Sequence, residues 1–252
     1  MNVEVLGAGR DVVMLHGWAM HSGVWRDLAN DLAKFFRVHL VDLPGHGKSN
    51  REEFCDLGDV VLTLSRLLPR QVFVIGWSLG ATITLAWAKS CPEQVRALTL
   101  IAATPCFVAR EEWAHGWPRY QFESFARDVQ NDPKKALTRF LSLQTRGDDA
   151  GRQILRDLRR SVLDVPRTTL AAGLAVLGET NLRHAAPCVR QNALLMHGDA
   201  DSVISIEAAR WLARNMSNAS LSVFARCGHA PFLSRPSEFV RGIAGFLHAQ
   251  PD

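Results

Sequence analysis

No apolar run in this 252-residue chain approaches the ~20 residues that a membrane-spanning helix needs. The opening stretch Met1-Asn-Val-Glu-Val-Leu-Gly7 lacks the basic and apolar segments of a secretory signal, and it leads directly into a strand-like run. Cysteine is scarce and unpatterned. Cys55, Cys91, Cys106, Cys188 and Cys227 are odd in number, scattered, and nowhere form C-x-x-C. That argues against a disulfide framework or a zinc site and for a reducing compartment. The expected location is the cytoplasm, with no metal, no cofactor and no membrane or nucleic-acid partner. No internal repeat or low-complexity tract is present. Charge is not strongly biased either: the net value is +4, which suits an acidic partner only if it is concentrated in one place. With 47% hydrophobic and 21% charged residues, the composition is that of an ordinary globular chain, long enough for one α/β domain with a substantial core.

What is present is organised around Val72-Phe-Val-Ile-Gly-Trp-Ser-Leu-Gly-Ala81. A short apolar run predicts a buried strand. Gly76-Trp77-Ser78-Leu79-Gly80 is a G-x-S-x-G, and Ala81 to Lys89 has helical spacing. Strand, tight turn and helix is the context in which this motif means a nucleophile elbow. Small residues two before and two after the serine let strand and helix approach closely.

The rest of the chain alternates. Strands are expected at Val3 to Leu6, Asp11 to Gly17, Val38 to Asp42, Val95 to Ile101, Asn192 to Gly198 and Ser220 to Phe224. Helices are expected at Trp25 to Phe35, Asp59 to Leu68, Ile206 to Met216 and Pro236 to His248. The rhythm predicts an α/β fold: a mostly parallel sheet with helices on both faces and a ligand crevice at the carboxyl ends of the strands. Between Glu111 and Leu182 strand-like runs vanish. Apolar residues recur at helical spacing: Phe122, Phe125, Val129; Leu137, Phe140, Leu141; Ile154, Leu155, Leu158, Val162; Leu170, Leu174, Leu177. The expected division is a core of residues 1–110 and 183–252, with residues 111–182 inserted as a helical cap of four short helices.

A serine nucleophile needs a base, and the base needs an orienting carboxylate. In elbow enzymes the chain order is Ser, Asp, His. Ser78, Asp201 and His229 fit, each following a strand. Asp199 competes for the acid's role. The tetrahedral oxyanion needs backbone donors; Leu79, next after the nucleophile, and Trp18, in the loop after an early strand, are the candidates. His46 in Pro44-Gly-His-Gly47 reads as part of a structural loop.

As a set, Leu15-His-Gly-Trp18, Val41-Asp-Leu-Pro-Gly-His-Gly-Lys-Ser49, Gly76 to Gly80, His197-Gly-Asp-Ala-Asp201 and Gly228-His229-Ala-Pro-Phe232 resemble the α/β-hydrolase superfamily over nearly the whole chain. Leu15-His-Gly-Trp-Ala-Met20 with Trp25, the elbow, and Arg139-Phe-Leu-Ser-Leu-Gln-Thr145 further resemble the pimeloyl-acyl-carrier-protein methyl ester carboxylesterases of biotin synthesis (the BioH family). The resemblance implies a cofactor-free serine carboxylesterase in which Trp18, Ser78, Leu79 and His229 contact the scissile ester. Phe140, Leu141, Ser142, Leu143 and Gln144 would line the acyl channel. It also implies an acidic carrier protein as partner. Lys135 and Arg139 lie one turn apart, and Arg152, Arg156 and Arg160 recur every fourth residue with Arg159 beside them. Lys135, Arg139, Arg152 and Arg156 are the expected docking residues. Ala81 departs from the second glycine that many relatives carry after the elbow, but alanine is small. The expectation is a monomer. Alternatives within the fold are a small-molecule carboxylesterase or a carbon–carbon bond hydrolase; outside enzymes, a non-catalytic receptor. A dehalogenase would need an acidic nucleophile at position 78.

Overall fold

The computed structural model describes residues 1–161 and 165–251, so Val162 of the expected apolar stripe and the side chain of Arg160 lie outside the described residues. Strands β1 (Asn2–Leu6), β2 (Asp11–Leu15), β3 (Arg37–Asp42), β4 (Val72–Trp77), β5 (Val95–Ile101), β6 (Asn192–Gly198) and β7 (Ala219–Phe224) form one sheet in the order β1-β3-β2-β4-β5-β6-β7. The edge strand β1 runs antiparallel to β3, with Val3 opposite Val41. Every other pairing is parallel, as short strand–helix–strand connections require.

Alternation along the strands sorts the core. Val13, Leu15, Val74, Leu98 and Leu195 pack on one face with helices α2 (Leu57–Leu67) and α3 (Leu79–Ser90) and, further along the chain, α8 (Ile206–Asn215). Val12, Met14, Phe73, Ile75, Leu194 and Met196 pack on the other with α1 (Arg26–Leu32) and α10 (Pro236–His248). Burial on both faces explains why these strands read as continuous apolar runs rather than alternating ones.

Between β5 and β6 the chain forms α4 (Arg119–Asn131), α5 (Pro133–Gln144), α6 (Gly151–Ser161) and α7 (Arg167–Glu179). Asp132 caps α5 by accepting a hydrogen bond from the Lys135 amide at 3.0 Å, with Pro133 in the first turn. Apolar residues of α4, α5 and α7 join the α2–α3 face; Ile154 and Leu158 of α6 join the opposite one. The insertion therefore straddles the carboxyl edge of the sheet. Among the described residues, no helix is long and apolar enough to cross a membrane.

Two local expectations need correction. The helix expected from Trp25 to Phe35 begins as a 3-10 turn over Ser22–Trp25 and ends at Leu32, leaving Phe35 56% exposed. The β1–β2 turn packs against the chain just past its end: a Cβ on Gly7 would meet the Ala33 carbonyl at 2.3 Å and that of Phe36 at 2.4 Å. A further one-turn helix, α9 (Pro231–Ser234), follows His229 and was not anticipated.

Candidate active site

Ser78 joins β4 to α3 with φ 56° and ψ −114°. For a non-glycine residue such a backbone costs about 1–3 kcal/mol and must be imposed by its surroundings. Its amide donates to the Ile101 carbonyl at 3.0 Å, and its carbonyl accepts from Ala81 and Thr82 at 2.9 and 3.1 Å. The flanking glycines permit the crossing. A Cβ on Gly76 would lie 2.3 Å from the Gly80 carbonyl oxygen, and one on Gly80 would lie 2.2 Å from that of Leu15. Ala81 is buried in the α2–α3 face, where its methyl group fits.

Beside the elbow lies a buried polar cluster. His229 Nδ1 donates to Asp201 Oδ2 at 2.8 Å, with the His229 side chain 1% exposed and that of Asp201 fully covered. Asp201 Oδ1 accepts from the amides of Val203 and Ile204 at 2.8 and 3.0 Å. His197 Nε2 lies 3.3 Å from Asp201 Oδ2 and 2.9 Å from the Ile204 carbonyl. A carbonyl partner fixes that nitrogen as the protonated one, so His197 also donates toward the carboxylate. Burial opposes the Asp201 charge, but His229 and then His197 outweigh it and hold the carboxyl below its ordinary range. With Nδ1 donating, His229 Nε2 keeps its lone pair, and it has no hydrogen-bond partner among the described residues. That is the form a general base requires. Asp199 is elsewhere engaged: its carboxylate accepts from the Arg226 amide at 2.6 Å. His197 is the residue that sequence reasoning missed; the available signal was its place four residues before Asp201, at the end of a strand.

The loop after β2 closes the other side. A Cβ on Gly17 would lie 3.4 Å from that of Ser78, so this loop touches the elbow directly. Ala19, at φ 63°, turns the chain, and the Met20 amide donates to the Gly17 carbonyl at 3.2 Å. The Trp18 indole is fixed by donation to the Leu170 carbonyl at 3.0 Å and by edge-on contacts with Phe125 and Phe140 at 5.6 and 5.1 Å. Gly173 of α7 leaves room for it: a Cβ there would meet Trp18 Cδ1 at 2.7 Å. Leu79 opens α3, and first-turn amides have no intrahelical acceptor. Beneath this loop, His16 Nε2 accepts from the Leu43 amide at 3.0 Å and its ring stands 5.1 Å from that of His46. Burial, then the neighbouring His46, pushes His16 down to about 3; burial pushes His46 down to about 4. Both are neutral struts, and His46 is the structural-loop residue expected.

The five residues expected along the acyl channel do not share one face. Phe140 meets Trp18, and the Gln144 carbonyl accepts from the His229 amide at 2.9 Å. Leu141 turns to the opposite core. Leu143 and Phe140, three residues apart, do share a groove, with Trp117, Phe125 and Arg139. Ser142 is exposed, its hydroxyl donating to the Thr138 carbonyl at 3.0 Å. Consecutive residues of an α-helix are about 100° apart, so they cannot all face one channel. Lys135, Arg139, Arg152 and Arg156 are all exposed. Arg139 pairs with Asp128 at 2.8 Å, and Arg156 with Gln153.

A model of the α/β hydrolase fold family matches residues 12–236. A pimeloyl-[acyl-carrier protein] methyl ester esterase of Nitrosomonas europaea is 42% identical over 95% of this chain and 96% of its own length. The protein of the same name from Chromobacterium violaceum is 41% identical over 98% of each chain. Among solved structures, an esterase of Exiguobacterium antarcticum superposes with a TM-score of 0.90 at 24% identity, covering 98% of this chain and 95% of its own. A bromoperoxidase of Bacillus anthracis gives 0.86 at 20%, covering 98% and 94%. At those identities the structures carry the fold alone.

Proposed function

The chain belongs to the α/β-hydrolase family and, within it, to the pimeloyl-[acyl-carrier protein] methyl ester esterases; on that premise we propose that it hydrolyses the methyl ester of a pimeloyl chain borne on acyl carrier protein. Ser78 attacks the ester carbonyl while His229 Nε2 takes its proton. The amides of Trp18 and Leu79 hold the oxyanion. His229 delivers the proton to the departing methoxide oxygen, which leaves as methanol; His229 then takes a proton from a water that attacks the acyl-serine carbonyl and returns it to Ser78 Oγ as the acid is released. Asp201 holds the imidazole in the Nδ1–H tautomer and stabilises the imidazolium. The observation that carries this reading is the buried His229–Asp201 hydrogen bond of 2.8 Å beside a serine at φ 56°.

Residues 111–182 act as the cap. Phe140 and Phe125, packed on Trp18, offer an apolar wall for the acyl chain. Exposed Lys135, Arg139, Arg152 and Arg156 offer a basic surface to the acidic carrier. The protein works as a monomer in the cytoplasm. The test is hydrolysis of carrier-bound pimeloyl methyl ester by the wild type and by Ser78→Ala, with fluorophosphonate labelling in parallel. Loss of both activity and labelling in Ser78→Ala, by at least about 1,000-fold in rate, is expected. Undiminished labelling of that variant rejects the serine mechanism. Turnover of free short esters with none of the carrier-bound ester rejects the substrate.

A further inference from the structure

The backbone around His229 is held from two directions. On the elbow side, Trp77 Nε1 donates to the His229 carbonyl at 2.8 Å. On the insertion side, the His229 amide donates to the Gln144 carbonyl, the last of α5, at 2.9 Å. Four residues later in the chain, Asp148 reaches the same loop. Its Oδ2 accepts from the Gly228 amide at 2.7 Å and from Ser234 Oγ, at the end of α9, at 2.5 Å. Its Oδ1 accepts from the Ala150 amide at 2.8 Å, bracing the turn that leads to α6. Gly228 makes the approach possible, since a Cβ there would lie 2.4 Å from the Gln144 carbonyl oxygen. Asp149 adds an outer clasp: its amide donates to the Arg226 carbonyl at 3.1 Å, and its carboxylate lies 3.0 Å from Arg226 and 3.5 Å from Arg235. One short segment, 144–149, thus grips the histidine loop on both flanks. Hydrogen bonds to a carboxylate are about twice as strong as neutral ones, so Asp148 is the firmest of these ties.

We propose that Asp148 is a positioning residue for His229, locking the base to α5 so that the helix forming the acyl wall and the base move as one unit. Phe140 sits one helical turn before Gln144 and packs on Trp18 at 5.1 Å. A displacement of α5 that repositions the wall must therefore carry the Gly228–His229 backbone with it. Substrate seating and base alignment become a single event. The proposal rests on His229 being the base, and the experiment separates the two.

The measurement is kcat and KM for a short p-nitrophenyl ester, per active site titrated with a fluorophosphonate, together with the pH profile of kcat/KM. Asp148→Ala is expected to lower kcat about 10- to 100-fold with KM within about twofold, because a base misplaced by about 1 Å forfeits that much, and to shift the acidic limb. Asp148→Asn keeps an acceptor for Gly228 but loses the charge, and falls between wild type and alanine. Ser234→Ala shows a loss of about two- to fivefold. A merely structural role predicts fewer titratable sites but an unchanged kcat per site and an unchanged limb; that result in Asp148→Ala overturns the proposal. If that variant does not fold, wild-type kcat and limb in both Asp148→Asn and Ser234→Ala overturn it. His229→Gln retaining activity would instead remove the base assignment, and the proposal with it.

Discussion

The carboxyl edge of the sheet and the outer face of the insertion solve opposite problems. At the edge, Asp201, His197 and His229 are buried and the Asp201 carboxylate accepts from four donors. On the insertion's surface, Lys135, Arg139, Arg152 and Arg156 stand in solvent on two helices, and the pairs that Arg139 and Arg156 make are themselves exposed. Charges of the first kind are fixed in place and work at short range in low dielectric. Charges of the second kind are screened, mobile and worth little to stability. The first arrangement suits chemistry, which needs one geometry. The second suits capture of a charged partner, which needs a field.

The sharpest break would come at the edge. Asp201→Asn keeps the shape of the carboxylate and its acceptor for Val203 and Ile204, but an amide nitrogen facing His229 Nδ1 favours the wrong tautomer. By the logic of Ser-His-Asp triads, kcat should fall roughly 10,000-fold, for short and carrier-bound esters alike, as stopped-flow or long-time assays can read. A loss under tenfold would mean that Asp201 does not orient the base.

On the outer face the effect should be smaller and selective. Arg152→Glu with Arg156→Glu should lower kcat/KM for the carrier-bound ester about 10- to 50-fold, mostly through association, while a short p-nitrophenyl ester is unaffected. Raising ionic strength from about 50 to 300 mM should erase much of the wild-type advantage. Equal losses on both substrates would rule out carrier docking at these two arginines.

The same contrast decides what the sequence made legible. The elbow could be read because its geometry admits few residues: Gly76 and Gly80 are each confined by a carbonyl within 2.3 Å of where a Cβ would lie. That Asp201 and His229 meet beside the elbow could be read because they follow strands in a fixed chain order. The insertion offered only helical spacing. It located α4 to α7, yet the stretch from Phe140 to Gln144 could not be taken as one lining surface, since helical rotation sends Leu141 to one core, Phe140 to the other and Ser142 to solvent. Contacts that cross the chain left no trace in local pattern: Asp148 to Gly228 spans 80 residues, and Trp18 to Leu170 spans 152. His197 sits between the two cases, legible in its spacing from Asp201 but not in its orientation.

The smallest effect is thermodynamic and separates the two regions by pH rather than by salt. His16 and His46 are held neutral by burial, at about 3 and about 4 against 6.5 in an unfolded chain. Because their folded values are depressed, the unfolded chain binds more protons once pH drops below about 6.5. Their contribution is therefore complete above that pH and is lost as pH falls toward 4. Each group should cost up to about 1.4 kcal/mol per pH unit in that window, and each kcal/mol should lower Tm by about 2–4 °C for a chain of this size. His46→Gln removes one titrating strut. Whatever it does to Tm at pH 8, it should flatten the decline between pH 6.5 and 4.5 by close to one proton's worth, and added salt should leave that difference intact. An identical slope in the two proteins would mean that His46 is not held neutral beneath the Trp18 loop. A slope difference that vanishes in 300 mM salt would mean the cluster is as open to solvent as the arginine face, and the distinction between the two regions would fail.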